Sequence, residues 1–282
     1  MKFGIVSYNT EYGLRPDHAA RAAEERGYES IWLPEHTHIP VSRETPFPLG
    51  GPLPEEYKHF MDPFVSLTAA AMATKTLKVA TGVCLLMEHD PIVVAKQVGT
   101  LDYLSGGRVM FGIGGGWNKE EMANHGTRFE DRWKVLRERV GALKAIWQNE
   151  EASYHGDFVN FDPIWCYPKP VQAPHPPIFL GAVTKAGLKR VVDYCDGWLL
   201  VDPQDDSLER ATPELRELCA AKGRDPSGIS ITVFATSVVD EALVERYAAA
   251  GVDRTIVWLP LESEKAAMDV MDAAAPLIAR YA

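Results

Sequence analysis

One short stretch of the sequence brings a carboxylate and two imidazoles together. Residues 31–38 read Ile-Trp-Leu-Pro-Glu-His-Thr-His, which we interpret as a buried strand followed at its carboxyl end by Glu35, His36 and His38. Histidine exchanges protons near neutral pH, so His36 is a candidate acid or base. Two other interpretations stay open, a metal held by His36 and His38, and a histidine that only satisfies a loop carbonyl.

A metal held by His36 and His38 would need further ligands, and three later predicted strands end where such ligands would lie. They read Leu180-Gly181, Val201-Asp202 and Leu259-Pro260, and they supply at most one carboxylate and no imidazole. A metal-dependent hydrolase built on a barrel would need further ligands at such positions. The sequence therefore predicts no metal site.

A second stretch ends a predicted strand almost without side chains. Residues 112–117 read Gly-Ile-Gly-Gly-Gly-Trp, and glycine lets a backbone approach a flat or charged ligand where a Cβ would interfere. The stretch nearly matches a dinucleotide-binding fingerprint, but Trp117 stands at its sixth position and no acidic residue ends a following strand about twenty positions on. A flexible turn is a further alternative, although the glycines begin inside a strand.

Backbone groups at two other predicted strand ends are candidates for ligand contact. Residues 177–184 read as a strand that runs into a helix, with free N–H groups expected beside Gly181 and Ala182. Such a turn binds phosphate through unpaired donors and the helix dipole, although an ordinary helix start capped by Thr184 explains the same pattern. In residues 81–84, glycine inside a β-branched strand indicates a bulge or a close backbone approach.

The elements that must position these residues alternate along the chain. Strands are predicted at 2–7, 29–33, 77–85, 108–113, 177–181, 197–201, 229–236 and 254–259. Helices are predicted at 16–26, 63–74, 91–104, 131–148, 184–194, 213–222, 241–250 and 263–280. The expected caps are Asp62, Asp90 and Thr212, each before a proline, and the expected helix ends are Gly27, Gly106, Gly223 and Gly251.

The sequence predicts eight strand–helix units, and their strands are too apolar to face water. This pattern predicts an α/β fold, namely a closed (β/α)8 TIM barrel. We expect one domain over residues 1–282. An open doubly wound sheet is the alternative. The segments 34–62 and 149–176 exceed ordinary loop length and are predicted to cover the carboxyl-terminal face of the barrel. The second of them contains a hairpin-like turn at residues 154–158.

The composition excludes several classes of protein. The 282 residues carry a formal net charge of −10 with no basic block, which argues against nucleic acid or an anionic membrane as a partner. No apolar run approaches the ~20 residues that span a bilayer, and residues 2–7 read as a strand, not as a signal peptide. The four scattered cysteines predict neither a disulfide framework nor a thiolate metal site. The cytoplasm is the expected location.

Taken together, these residues resemble the luciferase-like monooxygenase superfamily, and more closely its actinobacterial branch of coenzyme F420-dependent oxidoreductases. The resemblance extends from Phe3 to about Trp198. It is densest at 32–36, 62–65, 80–83, 96–97, 101–102, 104–118, 168–170, 177–181 and 196–198.

The resemblance implies a flavin or deazaflavin at the carboxyl-terminal face, beside a bulge in the third strand with a cis bond between Gly82 and Val83. It also implies that His36 is the active-site histidine and that Glu35 lies near the polar edge of the cofactor. The cofactor contacts that it implies are Glu35, Thr81, Gly82, Val83, Leu85, Gly115, Gly116, Gly181, Ala182 and Val183, the last three around its phosphate. The residues expected to shape the substrate pocket are Trp117, Asn118 and His59, with Tyr57 and Phe60.

The sequence departs from this pattern at Trp117, because some deazaflavin dehydrogenases carry a glutamate proton donor there. A sugar phosphate is therefore a doubtful substrate. The resulting prediction is an F420-dependent oxidoreductase that transfers hydride between C5 of the deazaflavin and a small organic substrate, as a homodimer. The alternatives are an FMN-dependent monooxygenase of the same superfamily and a barrel that binds a cofactor without catalysis.

Overall fold

A closed barrel of eight parallel strands forms the centre of the computed structural model, which describes residues 1–202 and 205–281. The strands in this part of the chain are β1 (Lys2–Val6), β2 (Ser30–Leu33), β3 (Lys78–Thr81), β4 (Val109–Ile113), β5 (Ala152–His155), β6 (Asn160–Ile164), β7 (Ile178–Gly181), β8 (Gly197–Val201), β9 (Ser230–Ala235) and β10 (Arg254–Trp258). The order around the barrel is β1-β10-β9-β8-β7-β4-β3-β2, and β1 pairs with both β2 and β10. The predicted fold is confirmed.

Helices follow the barrel strands and pack around them. They are α1 (Pro16–Glu25), α2 (Pro63–Ala73), α3 (Pro91–Ser105), α4 (Lys119–Asn124), α5 (Arg132–Gln148), α6 (Lys185–Tyr194), α7 (Ser207–Ala221), α8 (Glu241–Ala250) and α9 (Glu264–Tyr281). The Asp62 and Asp90 carboxylates accept N–H bonds from the first turns of α2 and α3, as predicted. The four predicted helix-ending glycines all have a positive φ. In the described ranges, no helix is both long and apolar enough to cross a membrane.

Helix α7 corrects one predicted boundary. It begins at Ser207, so Thr212 and Pro213 lie inside the helix, and Thr212 does not cap it. The Thr212 hydroxyl instead donates to the Leu208 carbonyl across 2.9 Å. Leu208 is fully buried, so the burial of an apolar side chain extends the helix beyond the point at which proline predicts its start.

Strand β3 is shorter than predicted, and α4 was not predicted. Strand β3 ends at Thr81 and is followed by the cis peptide bond between Gly82 and Val83, at the position that the resemblance implies. Helix α4 has six residues, too few for an apolar period to appear in the sequence. Both differences lie at the carboxyl-terminal face of the barrel, beside the candidate site.

Apolar side chains fill the barrel below this face. Trp32 is fully buried, and its ring meets Phe179 and Phe234 edge-on with centroid distances of 5.7 Å. A Cβ on Gly82 would lie 3.2 Å from atoms of both Phe234 and Trp32, so the strand end rests closely on this layer. The interior is a packed core and not a channel.

The two long segments differ in position. Segment 34–62 contributes Tyr57 and Phe60 to the carboxyl-terminal face, as predicted. Segment 149–176 forms the predicted hairpin, β5 against β6, and packs on the outer helices. Its residues 171 and 172 donate backbone N–H bonds to the buried carboxylate of Asp102 in α3. The structure describes this segment in full, and none of its residues lines the cavity at the barrel mouth.

Candidate active site

A cavity of about 360 Å3 opens at the carboxyl-terminal ends of the barrel strands. This volume lies in the range of roughly 300–1,000 Å3 that is typical of small-molecule sites. Its described lining is mostly apolar and aromatic, and Glu35 and His36 are its acidic and imidazole side chains. Such a cavity suits an organic molecule held by packing, with few polar contacts to orient it.

Most of the predicted site residues line this cavity, although their predicted roles are not tested by this placement. The eleven are Glu35, His36, Gly82, Val83, Leu85, Gly115, Gly116, Trp117, Gly181, Ala182 and Val183. These residues follow β2, β3, β4 and β7, and the first and last of them are 148 positions apart in the sequence. Closure of the barrel brings them together.

Three predicted site residues lie outside the described lining. Thr81 is buried and its hydroxyl donates to the Gly112 carbonyl, so it joins β3 to β4. Asn118 is buried and caps α4 by accepting the Glu121 N–H. His59 lies within 2.7 Å of a Glu11 carboxylate oxygen, with its ring against Tyr12. Each of these side chains already has a structural contact.

The histidine at the cavity is paired with a buried glutamate. His36 Nδ1 and Glu121 Oε2 are 2.6 Å apart, and the Glu121 side chain is fully buried. Because Nδ1 is engaged, Nε2 is the nitrogen that remains for chemistry in the cavity. A carboxylate on one ring nitrogen fixes the orientation and tautomer of an imidazole. The arrangement can therefore hold or transfer a proton at Nε2.

Glu121 is a candidate site residue that the sequence did not indicate. It stands three positions after Asn118, in the spacing of a capping box, where the third residue normally turns back to the cap. That spacing predicts the start of α4. Only the fold shows that the carboxylate turns to His36, which is 85 positions away.

Three aromatic rings surround the imidazole of His36. The centroid distances are 5.4 Å to Tyr57, 6.0 Å to Phe60 and 5.7 Å to Trp117. Tyr57 and Phe60 come from segment 34–62, and Trp117 follows the glycines after β4. These rings cover one side of His36 and exclude water from it.

The Glu35 carboxylate holds the segment after β3 through hydrogen bonds. Its carboxylate accepts the Leu85 N–H across 2.6 Å and lies 2.9 Å from His89 Nε2. Burial alone would raise the pKa of Glu35, but His89 and the Leu85 N–H stabilise the carboxylate, so its pKa is lowered. The carboxylate holds the turn after β3 in place.

The contacts of His36 and His38 bear on the alternative that the two histidines hold a metal ion. His36 turns to Glu121, whereas His38 contacts Thr37 and Asn124, so the two histidines do not converge. Ligand-type atoms of Glu35, Cys84 and His89 do lie within 4.8 Å of one another. The hydrogen bonds of Glu35 account for that cluster without an ion.

A second buried carboxylate lies near the pair. The Glu88 side chain is almost fully buried, and its Oε2 has no hydrogen-bond partner among the described residues. Burial, with the charges of Glu121 and Glu35, raises the pKa of Glu88 to about 9, and Arg139 offsets this only in part. Glu88 is therefore protonated at neutral pH.

The turn after β7 corrects a predicted donor. The Ala182 N–H bonds to the Leu199 carbonyl across 3.2 Å, so it is not free for a phosphate. The Thr184 side chain caps α6 by accepting the Gly187 N–H. Residues 183–186 are exposed, and the first N–H groups of α6 have no intrahelical acceptor. The N–H groups without a partner at this turn therefore lie at the start of α6 and not at Ala182.

The glycines after β4 lie against neighbouring protein atoms, contacts that the sequence did not indicate. A Cβ on Gly114 would lie 2.5 Å from Val83 Cγ2, and a Cβ on Gly115 would lie 2.3 Å from the Trp133 ring. Gly116 has a φ of +62°, which favours glycine. Contacts with neighbouring protein atoms therefore favour glycine here, whether or not a ligand approaches the same backbone. The backbone still forms one flat side of the cavity.

Comparison with known proteins places this site in a family. The chain matches the luciferase-like monooxygenase family over residues 16–278 and therefore belongs to it. It is 40% identical over 264 residues to an uncharacterised protein of Mycobacterium tuberculosis, covering 92% of each chain. It is also similar to a solved F420-dependent secondary alcohol dehydrogenase, with a TM-score of 0.81, 18% identity and 98% coverage of both chains.

Relatives with named activities use two kinds of cofactor. An F420-dependent hydroxymycolic acid dehydrogenase of M. tuberculosis is 27% identical over 258 residues, 88% of this chain and 66% of that protein. An FMNH2-dependent dimethylsulfone monooxygenase of Pseudomonas putida is 31% identical over 178 residues, 62% of this chain and 49% of that protein. The family thus contains oxidoreductases and monooxygenases with deazaflavin or flavin cofactors.

Proposed function

We propose that this protein is an F420-dependent oxidoreductase that transfers a hydride between C5 of the deazaflavin and a small organic substrate. The observation that carries the proposal is the buried His36–Glu121 pair at the apolar cavity. The chain fits such a cofactor, because the cavity has a flat glycine backbone on one side and exposed helix N–H groups beside Val183. When bound, F420 supplies the hydride chemistry.

His36 handles the proton that accompanies hydride transfer to or from a carbonyl or alcohol. Its Nε2 is the group that donates or accepts this proton, while Glu121 holds the ring through Nδ1. A positioned acid or base of this kind contributes about 10²–10⁴ in rate. The 2.6 Å contact keeps the ring in one orientation.

The aromatic rings around His36 orient the substrate. Tyr57, Phe60 and Trp117 surround the imidazole, and Arg43 is the cation over the Trp117 ring, 5.7 Å from its centroid. Arg43 does not line the cavity, and the mostly apolar lining favours an uncharged alcohol, aldehyde or enone over a phosphorylated sugar. Exclusion of water also strengthens the interaction between His36 and the reacting oxygen.

An FMN-dependent monooxygenase is the second candidate. Similarity to the P. putida enzyme favours it, and the same cavity has room for either ring system. The two candidates make different predictions for binding. A barrel that binds a cofactor without catalysis is the third possibility, and turnover tests it.

The deciding experiment offers the purified protein F420 and FMN separately and follows fluorescence quenching. We expect tight binding of F420. Tight binding of FMN with none of F420 contradicts the proposal, and binding without turnover across a panel of alcohols, aldehydes and enones supports the non-catalytic barrel. Sedimentation velocity tests the homodimer, which stays a prediction.

Replacement of His36 tests the proton transfer. We expect His36→Ala to retain F420 binding and to lose turnover by about 10²–10⁴, because Nε2 no longer serves the reacting oxygen. His38→Ala removes an imidazole that contacts Thr37 and Asn124 outside the cavity, and it is the matched control. Equal turnover of the two variants would show that His36 is not the acid or base.

A further inference from the structure

A pair of arginines lies against one indole behind the glycines of the cavity. The Trp133 ring fills the space next to Gly115, where a Cβ would lie 2.3 Å from it. The Arg190 guanidinium lies 4.2 Å from the centroid of this ring, and that of Arg132 lies 5.4 Å from it. Arg132 also stacks on Phe129 at 3.6 Å. We call these four residues the Trp133 cluster.

The two guanidinium groups of the Trp133 cluster lack a carboxylate partner. In the part of the chain that the structure describes, no ion pair within 4.0 Å involves Arg132 or Arg190, and the buried Arg132 Nε has no hydrogen-bond acceptor. Burial and the charge of Arg190 lower the pKa of Arg132, and Glu130 offsets this only in part. Although the protein carries 39 acidic against 29 basic residues, the Arg132 guanidinium donates to the Phe129 carbonyl and not to a carboxylate, which leaves N–H donors of both guanidinium groups available to an external anion.

The cluster continues from the start of α6. Arg190 lies five residues after Lys185, which is about 7.5 Å along the axis at ~1.5 Å per residue. Helical side chains lean towards the N-terminus, and the Arg190 guanidinium lies over the Trp133 ring, next to the glycines that line the cavity. Anionic groups of a ligand that extends out of the cavity on the α6 side would meet the two arginines there.

We propose that Arg132 and Arg190 bind the carboxylates of the oligoglutamate tail that F420 carries beyond its phosphate. Guanidinium groups bind carboxylates through paired N–H bonds, and stacking on Trp133 and Phe129 holds both groups in place for this contact. FMN ends at its phosphate and would leave the cluster without a ligand. The inference rests on the proposed function, and it gives the chain a reason to prefer F420.

Deazaflavins of different length test the assignment by binding alone. Purified protein is titrated at low salt with F420 bearing five or six glutamates and with the riboflavin-like deazaflavin that lacks both phosphate and tail, and fluorescence gives each Kd. We expect Arg190→Gln to weaken the binding of long-tailed F420 by about tenfold and to leave the tailless compound unchanged. Lys189→Gln removes the same charge from the neighbouring exposed position of α6 and should change neither Kd.

Salt and truncation of the tail give two further readouts. The salt dependence of F420 binding should decrease in Arg190→Gln, because fewer charge contacts are screened. F420 trimmed of its glutamates should bind equally to wild type and variant. Arg132→Gln should behave like Arg190→Gln, and circular dichroism establishes that each variant is folded.

The failures of the two proposals are distinguishable. If neither deazaflavin binds to the wild type, the proposed function is wrong. If both bind, and Arg190→Gln changes neither Kd, the cluster does not hold the tail and the proposed function stands. If Arg190→Gln weakens the trimmed compound and FMN as much as long-tailed F420, the arginine contacts the phosphate, and the assignment to the tail is overturned.

Discussion

Replacement of Glu88 by glutamine should stabilise the protein, and increasingly so as the pH rises. The pKa of the Glu88 carboxyl is raised from 4.5 to about 9 by burial and by the charges of Glu121 and Glu35. A group whose pKa is higher in the folded state stabilises the fold below its unfolded pKa. That stability is lost as the pH rises towards its folded pKa. Wild-type stability should therefore fall between pH 5 and pH 9.

The magnitude follows from the same two pKa values. A pH of 7.5 is about three units above the pKa of 4.5 that the Glu88 carboxyl has in the unfolded chain. Keeping Glu88 protonated in the folded protein therefore costs about 4 kcal/mol, at ~1.36 kcal/mol per unit. Glutamine resembles the protonated acid and does not titrate, so it avoids this cost. The charged groups near Glu88 include Arg139 and His125, and the substitution changes neither of them.

Urea denaturation at pH 5.5, 7.5 and 8.5 measures the effect. We expect Glu88→Gln to be more stable than wild type by only about 1 kcal/mol at pH 5.5 and by several kcal/mol at pH 8.5, at ~1.36 kcal/mol per pH unit above 4.5. Glu130→Gln, at an exposed position, is the control and should show no such trend. A difference between Glu88→Gln and wild type that stays constant over this range would refute a protonated, buried Glu88.

Two other substitutions test the site and the packing behind it. Glu121→Gln should lower kcat by about 10–100-fold with little change in the Kd of F420. The reason is that a hydrogen bond to a charged group contributes about 1.5–3 kcal/mol and orients His36. Stopped-flow turnover measures the change in kcat, and a loss confined to KM would contradict the positioning role. Gly115→Ala should destabilise the fold by about 1–3 kcal/mol, since its Cβ would lie 2.3 Å from the Trp133 ring. Thermal unfolding compares it with Gly228→Ala, where a Cβ meets no atom within 4 Å, and equal midpoints for both variants would show that Trp133 moves aside.

The predictions that succeeded depend on neighbouring residues. Asp62 and Asp90 cap their helices because each stands directly before a proline at the first helical position. Gly251 ends α8 with a φ of 82° for an equally local reason. The same kind of signal failed at Thr212, where burial of Leu208 extended α7 through the proline.

The predictions that failed depend on contacts between distant segments. The Ala182 N–H is not available to a ligand, because it donates to the Leu199 carbonyl of β8. Gly114 and Gly115 also lie against Val83 and Trp133, contacts that no spacing within the glycine stretch could indicate. In each case the relevant partner comes from another strand or helix.

The sequence by itself determined the barrel and the face at which the candidate site residues lie. Apolar alternation and caps repeat over short distances, and the carboxyl ends of parallel strands must share one face. Only the tertiary structure decided which side chains meet there. The pairing of His36 with Glu121 spans 85 positions, and the arginines of the Trp133 cluster come from two different helices. Such contacts follow from the closure of the barrel, because side-chain partners are chosen by packing in three dimensions.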